Sequence, residues 1–129
     1  MCQKNIIVNR FIKFCIVGAL GFVVDAAAFY LLMDIAPSLI IARLFAFWLA
    51  ATATWIGNRK FTFASATKQQ PWRQWQKHML SAHGGGGINL FVFYLLVDST
   101  GIPVAFCCGI ALALIANFAL ANKFVFKPQ

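Results

Sequence analysis

The sequence predicts an all-α membrane protein with four transmembrane helices arranged as two parallel two-helix repeats. Hydrophobic residues make up 61% of the 129 residues and charged residues only 11%, a balance far from that of a soluble domain. A soluble fold of this length has too little interior to bury so much apolar surface. The apolar residues also form four runs, each close to the roughly 20 residues that cross a bilayer as a helix.

The first half of the chain predicts a helical hairpin. It divides into a basic lead-in, a span, a turn and a second span, at residues 1–13, 14–33, 34–38 and 38–57. At a helical rise of about 1.5 Å per residue, each span is long enough to cross the hydrocarbon core. Asp25 is the only charge in the first span, and Arg43 is the only charge in the second.

The second half divides in the same way into a link, a span, a turn and a fourth span, at residues 64–78, 79–97, 98–103 and 103–122. Within the link, Pro71 is expected to begin a short helix that lies at the membrane interface, with Trp72, Trp75 and Met79 on one face. The glycines at 84–87 are expected to weaken the helix locally in the third span.

The cations predict a single orientation in the membrane. All of the 11 Lys and Arg residues except Arg43 lie on one side of the predicted topology, at Lys4, Arg10, Lys13, Arg59, Lys60, Lys68, Arg73, Lys77, Lys123 and Lys127. Because Lys and Arg are enriched in cytoplasmic loops, both termini and the link are expected in the cytoplasm. The formal charge of +8 is then explained by lipid headgroups and topology, and we expect no nucleic-acid partner.

The two halves of the chain repeat one another. Phe-Tyr-Leu-Leu-Met-Asp at 29–34 recurs as Phe-Tyr-Leu-Leu-Val-Asp at 93–98, and Lys-Phe-Thr-Phe at 60–63 recurs as Lys-Phe-Val-Phe at 123–126. Because each copy holds two spans, both copies share one orientation, which makes the repeat parallel. We predict a single membrane domain over 1–129, composed of repeat one, a cytoplasmic link and repeat two, at about 10–63, 64–74 and 75–128.

Asp25 and Arg43 are the first candidate site residues. Asp25 shares a helix face with the small residues Gly21 and Ala28, so it is expected to face a neighbouring helix and not lipid. Arg43 lies at a similar depth, which places the two charges to pair. An ionisable residue inside a span favours a functional site, and the alternative is an ion pair that only fixes helix register. Asn89 occupies the matching position of the second half.

A second set of candidates lies near the inner ends of spans two and four, at Asn58, Arg59, Lys60, Asn117 and Lys123. The cations are placed to bind an anionic group, although such cations serve topology in most membrane proteins. Arg59 has the best claim because a guanidinium binds phosphate through two donors. For the asparagines, the main alternative is hydrogen bonding between helices.

The sequence contains no pattern typical of catalysis or metal binding. Its only acidic residues are 3 aspartates, and two of them lie in the predicted outer turns. The 4 cysteines show neither a CxxC pattern nor a Cys/His spacing typical of metal ligands. We therefore expect a chain that is no enzyme by itself and that has no cofactor and no metal site.

The chain resembles the GtrA-like family. The resemblance covers nearly the whole sequence and is carried by motifs in a fixed order: Arg-Phe-Ile-Lys-Phe at 10–14, Gly18 and Gly21, the acidic residue midway along span one, Asn-Arg-Lys-Phe-Thr-Phe at 58–63, and Val-Phe at 125–126. The second half departs from this pattern in two ways. Ala121 stands opposite Asn58, and residues 82–87 are rich in glycine.

The resemblance implies a bacterial inner-membrane protein of cell-surface polysaccharide synthesis. The first hypothesis is flipping of a polyprenyl-phosphate-linked sugar. Arg59 and neighbouring cations would receive the phosphate, and Asp25 with Arg43 would contact sugar hydroxyls or gate the passage. The second hypothesis is a non-transporting membrane anchor of a polyprenyl-phosphate glycosyltransferase.

A small cation or drug exporter is a third hypothesis, and the one-sided distribution of cations disfavours it. Four short helices enclose little volume. A glycosyltransferase partner or a homo-oligomer is therefore expected in the bilayer.

Overall fold

The protein is all-helical throughout the part of the chain that the structure, a computed structural model, describes. That part comprises residues 2–64 and 70–126, with side chains from residue 5 onward. The four long helices are α1 Cys2–Leu32, α2 Leu39–Gly57, α3 Pro71–Thr100 and α4 Ile102–Leu120. Each of the four is long and apolar enough to cross a membrane, which confirms the predicted four-span fold. Lys68 and Lys127, counted above for orientation, lie outside the described residues.

The chain divides into two compact units, and each is a helical hairpin. In the first unit α1 packs against α2, and in the second α3 packs against α4. The parallel arrangement of the two repeats and their boundaries stay predictions.

Two helices differ from the sequence prediction. Helix α1 begins at Cys2, so the basic lead-in is helical as well, in keeping with its lack of glycine and proline. The expected separate interfacial helix at Pro71 is wrong, because α3 runs without a break to Thr100. It also continues through the glycines at 84–87. In an apolar setting, a helix satisfies the backbone N–H and C=O groups that a break would leave unpaired.

The beginning of α3 still carries the predicted tryptophan pair. The rings of Trp72 and Trp75 stack with their centroids 5.0 Å apart, and Met79 on the same face is buried. At the other end, Gly101 alone separates α3 from α4. Its φ of 79° lies in the region that glycine adopts without a steric penalty.

Both hairpins end in a π-helical turn. Helix α2 continues into Asn58–Thr62, and α4 continues into Ala121–Val125. The N–H of the next residue, Phe63 or Phe126, donates to the carbonyl of the first residue of the turn at 2.8 Å. The predicted offset of the second half, with Ala121 opposite Asn58, is therefore present in the backbone. Such turns recur at functional sites in helical proteins.

Glycines bring the two helices of each hairpin close together. In the first unit the side chain of Thr54 lies against Gly21, and in the second the carbonyl and side-chain oxygens of Asn89 lie against Gly109. A Cβ at Gly109 would stand 2.8 Å from the main-chain oxygen of Asn89. Small residues at such contacts let backbones approach, which is the main way that helices pack tightly in lipid.

This contact predicts different outcomes for two glycine-to-alanine changes in the second hairpin. Gly109→Ala should lower the unfolding temperature in detergent, because the added methyl group forces α4 away from the backbone of α3. Gly86→Ala is the matched control, since nothing lies within 4 Å of a Cβ at Gly86. Alanine is favoured over glycine in a helix by up to about 1 kcal/mol, so the control should be neutral or stabilising. Equal shifts of the unfolding temperature for both variants would contradict the close contact between Gly109 and Asn89.

Candidate functional site

Asp25 and Arg43 form an ion pair between α1 and α2. Arg43 Nη1 donates to Asp25 Oδ2 at 2.6 Å, so the predicted pairing is present. Both residues lie inside segments long enough to span the membrane, where a single uncompensated charge is unfavourable. Pairing makes the site neutral overall, and it stabilises both charges in a medium that screens them poorly.

The two partners differ in how they face their surroundings. The Asp25 side chain is 13% exposed, whereas that of Arg43 is 56% exposed. The Arg43 guanidinium also lies 5.6 Å from the centroid of the Phe29 ring, one turn along α1 from Asp25. This is within the range of a cation–π contact, which holds the guanidinium over the helix that carries its partner.

The second carboxylate oxygen of Asp25 is the unusual feature of the pair. Oδ1 is buried and has no hydrogen-bond partner within the described ranges. A buried acceptor without a donor destabilises a protein by about 1–3 kcal/mol, and more when it is charged. The ion pair therefore retains an acceptor on Asp25 and further N–H groups on Arg43, a combination suited to a hydroxyl group, which both donates and accepts.

Small residues explain why the two charges can meet. Gly21, one turn from Asp25, contacts the methyl group of Thr54. The hydroxyl of Thr54 donates to the carbonyl of Ala51 at 2.9 Å, which turns the methyl group toward α1. Ala46 of α2 is completely buried. Because the backbones of α1 and α2 are this close, the long Arg43 side chain reaches across to Asp25.

The second hairpin has a neutral version of the same site. Asn89 takes the place of Asp25, and its side chain lies against Gly109 of α4. Asn117 lies against Gly85, and its Oδ1 is buried without a hydrogen-bond partner among the described residues. Phe106 stands where the repeat places Arg43. The ion pair thus belongs to the first hairpin alone.

The candidate residues at the ends of the hairpins lie in or beside the two π-helical turns. Asn58 is buried, and its Oδ1 accepts a hydrogen bond from the Thr62 hydroxyl at 2.9 Å, which ties the π-helical turn together. The Arg59 guanidinium lies 5.9 Å from the centroid of the Trp55 ring. Lys60 and, in the second unit, Lys123 are exposed.

The predicted site residues of the first hairpin therefore form two separate levels. Arg43 and Arg59 are 16 positions apart in the sequence, or about 24 Å at the helical rise of about 1.5 Å per residue. The structure brings Asp25 together with Arg43, and it does not bring either of them to Arg59 or Lys60.

A cavity that was not predicted from the sequence lies beside the first π-helical turn. Its volume is about 320 Å³, and it is lined by Ile6, Asn9, Arg10, Lys13, Phe61, Thr62 and Ala64. The spacing of Ile6, Arg10 and Lys13 is the signal that was available, because it places all three on one helix face. Val17 continues that face and packs against Gly57 of α2.

Comparison with protein-family models identifies the relatives of the chain. The model of the GtrA/DPMS transmembrane domain matches residues 13–126. The chain belongs to this family. The match confirms the GtrA-like resemblance that the sequence motifs carry. A comparison with curated proteins finds no match.

Membership of the GtrA/DPMS family suggests involvement in processes that handle lipid-linked sugars. The matched range contains every site residue predicted from the sequence, namely Asp25, Arg43, Asn58, Arg59, Lys60, Asn89, Asn117 and Lys123. Arg10, which lines the cavity, lies just before that range. The family match thus covers both levels of the candidate site, apart from the first turns of α1.

The ion pair predicts strong coupling between two substitutions. Asp25→Asn or Arg43→Gln alone leaves one charge without its partner inside a span, so each should lower the folded yield and the unfolding temperature. The double variant should recover at least the yield. Residues in direct contact show coupling of about 0.5–3 kcal/mol, which a thermal double-mutant cycle in detergent measures. If the loss of stability in the double variant equals the sum of the losses in the two single variants, the two side chains do not interact.

Proposed function

We propose that the protein moves a polyprenyl-phosphate-linked sugar from one leaflet of the membrane to the other, for cell-surface polysaccharide synthesis or O-antigen modification. The observation that carries the proposal is the Asp25 carboxylate, whose Oδ1 is buried inside an apolar hairpin without a hydrogen-bond partner among the described residues. A charge kept at this depth favours a role in the passage of a polar substrate.

A sugar that crosses the bilayer loses its hydrogen bonds to water. Each hydroxyl moved into an apolar environment without a new partner is destabilised by about 2–7 kcal/mol, depending on the reference state. The Asp25–Arg43 pair offers a charged acceptor and charged donors at one place in the span. Hydrogen bonds to charged groups stabilise by about 1.5–3 kcal/mol each, so the pair offsets part of that barrier.

The phosphate of the carrier needs cations at the membrane surface. In the proposed orientation both termini and the link lie in the cytoplasm, and Arg59, Lys60 and Lys123 lie at the inner ends of the spans. The lipid phosphate would bind at that level first, and the sugar would reach Asp25 as the carrier moves across the membrane. Asn58, Asn89 and Asn117 supply neutral polar contacts along the helices.

The proposed setting is the bacterial inner membrane. The chain is proposed to be no enzyme by itself, and to work beside a membrane glycosyltransferase that makes or uses the lipid-linked sugar. The two hairpins supply only four spans, so a homo-oligomer or the glycosyltransferase is proposed to complete the passage.

A non-transporting anchor for the glycosyltransferase is the second candidate function. The observation that favours it is the apolar surface, because large hydrophobic side chains are exposed along all four helices and offer contact area to partner helices as well as to lipid. An ion pair that fixes helix register would also suit an anchor, but it does not require the Asp25 oxygen that has no partner among the described residues, which is why we place translocation first.

The two functions predict different effects of Asp25→Asn. In proteoliposomes that contain a polyprenyl-phosphate hexose, a membrane-impermeant oxidant of vicinal hydroxyls reports how fast sugar from the inner leaflet becomes accessible. Because Asp25→Asn removes a hydrogen bond to a charged group, oxidation of the sugar that starts in the inner leaflet should be about tenfold slower or more. In cells, the same variant should leave the glycosyltransferase bound to the membrane and active.

Asp34→Asn is the matched control for that experiment. It makes the same chemical change at an exposed aspartate in the turn between α1 and α2, and it should leave the rate of transfer unchanged. A folded Asp25→Asn, Arg59→Gln double variant that transfers sugar at the wild-type rate would contradict the assignment of the site and favour the anchor.

A further inference from the structure

We propose that the cavity between the start of α1 and the first π-helical turn binds the phosphate of an isoprenoid phosphate, with Arg10 and Lys13 as the anion-binding residues. For brevity we call it the basic cavity. Neither Arg10 nor Lys13 was a predicted site residue, although both belong to the Arg-Phe-Ile-Lys-Phe motif at 10–14; the candidates near this end were Asn58, Arg59 and Lys60. The identification of the ligand as an isoprenoid phosphate rests on the proposed function, whereas the binding of an anion rests on the cavity alone.

The charge of the basic cavity favours an anion. Two of its lining residues are cations, Asn9 adds an amide group, and none of those that the structure describes is acidic. The sequence has no acidic residue before Asp25 and none between Asp34 and Asp98. The described segments that form the cavity therefore contain no Asp or Glu side chain. A phosphate would bind both cations through charge-assisted hydrogen bonds.

The residue that follows the first π-helical turn contacts Arg10. The Arg10 guanidinium lies 5.8 Å from the centroid of the Phe63 ring, which is completely buried. The N–H of Phe63 closes the turn by donating to the carbonyl of Asn58. The turn thus places the aromatic ring against α1 and holds the guanidinium at the cavity by a cation–π contact.

The walls of the basic cavity select an amphiphile over free phosphate. Ile6 and Phe61 line it and are themselves exposed at 47% and 67%. A volume of about 320 Å³ is at the lower end of the range of about 300–1,000 Å³ for small-molecule sites. A phosphate group fits between the cations while an attached hydrocarbon chain runs over Ile6 and Phe61. A free phosphate would gain nothing from these two side chains.

The second hairpin lacks the same chemistry at the matching place. The repeat that aligns Asp25 with Asn89 aligns Arg10 with Gln74, which is completely buried, and it aligns Lys13 with Lys77. The two π-helical turns align Thr62 with Val125, which is also buried. The anion site and the Asp25–Arg43 pair therefore lie in the same hairpin, as expected if a single substrate uses them one after the other.

The test is binding of farnesyl phosphate to the full-length protein in nanodiscs that contain phosphatidylglycerol, with farnesol and inorganic phosphate as separate arms. Wild-type protein should bind farnesyl phosphate in the presence of the anionic phospholipid, and it should bind farnesol and inorganic phosphate far more weakly. Arg10→Gln and Lys13→Gln should each weaken binding about tenfold or more, since each removes a charged hydrogen bond. Asp34→Asn, at an exposed position in the turn between α1 and α2, should leave phosphate binding unchanged.

Lys77→Gln is the matched control, because it removes a cation at the corresponding position of the second hairpin. Lys13 is exposed, so Lys13→Gln removes no core contact, whereas Arg10→Gln loses the contact with Phe63 but introduces the residue that the second hairpin already carries there. Equal weakening by Lys13→Gln and Lys77→Gln would overturn the site. Inorganic phosphate that binds as tightly as farnesyl phosphate, or phosphatidylglycerol that prevents its binding, would overturn the ligand assignment.

The same variants separate this inference from the proposed function. Binding that depends on Arg10 and Lys13 in a protein that transfers no sugar in proteoliposomes would keep the anion site and contradict translocation. Transfer of sugar with farnesyl phosphate binding that is unaffected by Arg10→Gln and Lys13→Gln would keep translocation and overturn the anion site.

Discussion

A bilayer offers no hydrogen bonds to the chain that crosses it, and most features of this protein follow from that constraint. Every backbone N–H and C=O inside the membrane needs a partner within the protein. The helix α3 therefore continues through its glycines, and the last turns of both hairpins keep their hydrogen bonds by widening to a π-helical pattern. The same constraint forces Asp25 and Arg43 to pair, and it makes the remaining buried carboxylate oxygen of Asp25 conspicuous.

The two hairpins share a scaffold but not a charge distribution. Both end in the same kind of turn, and in both a glycine of one helix meets a polar side chain of the other, Thr54 in the first and Asn117 in the second. The ion pair and the basic cavity lie in the first hairpin, while the second has Asn89, Gln74 and Val125 at the matching places. A repeat in which one copy carries both the ion pair and the basic cavity suits a protein that binds one polar headgroup at a time.

Much of this architecture could be predicted from the sequence, because hydropathy, charge and repetition act over whole segments. The four spans, the Asp25–Arg43 pairing and the offset at Ala121 are all visible in it. The unbroken α3 could not be predicted, since glycine propensities measured in water overstate the weakness of a helix in lipid. The basic cavity was missed because cations at span ends are explained by topology. Only the three-dimensional contact between α1 and the π-helical turn sets Arg10 and Lys13 apart.

The central claim is that Asp25 Oδ1 contacts the sugar while Oδ2 remains paired with Arg43. Infrared difference spectroscopy of the reconstituted protein, with isotope-labelled aspartate, measures this contact directly when a polyprenyl-phosphate hexose is added. The chain has only 3 acidic side chains, so Asp25→Asn assigns the band. The account predicts that the carboxylate stretch of Asp25 shifts on binding while those of Asp34 and Asp98 stay unchanged. An unchanged Asp25 band in protein that has bound the lipid-linked sugar would contradict it.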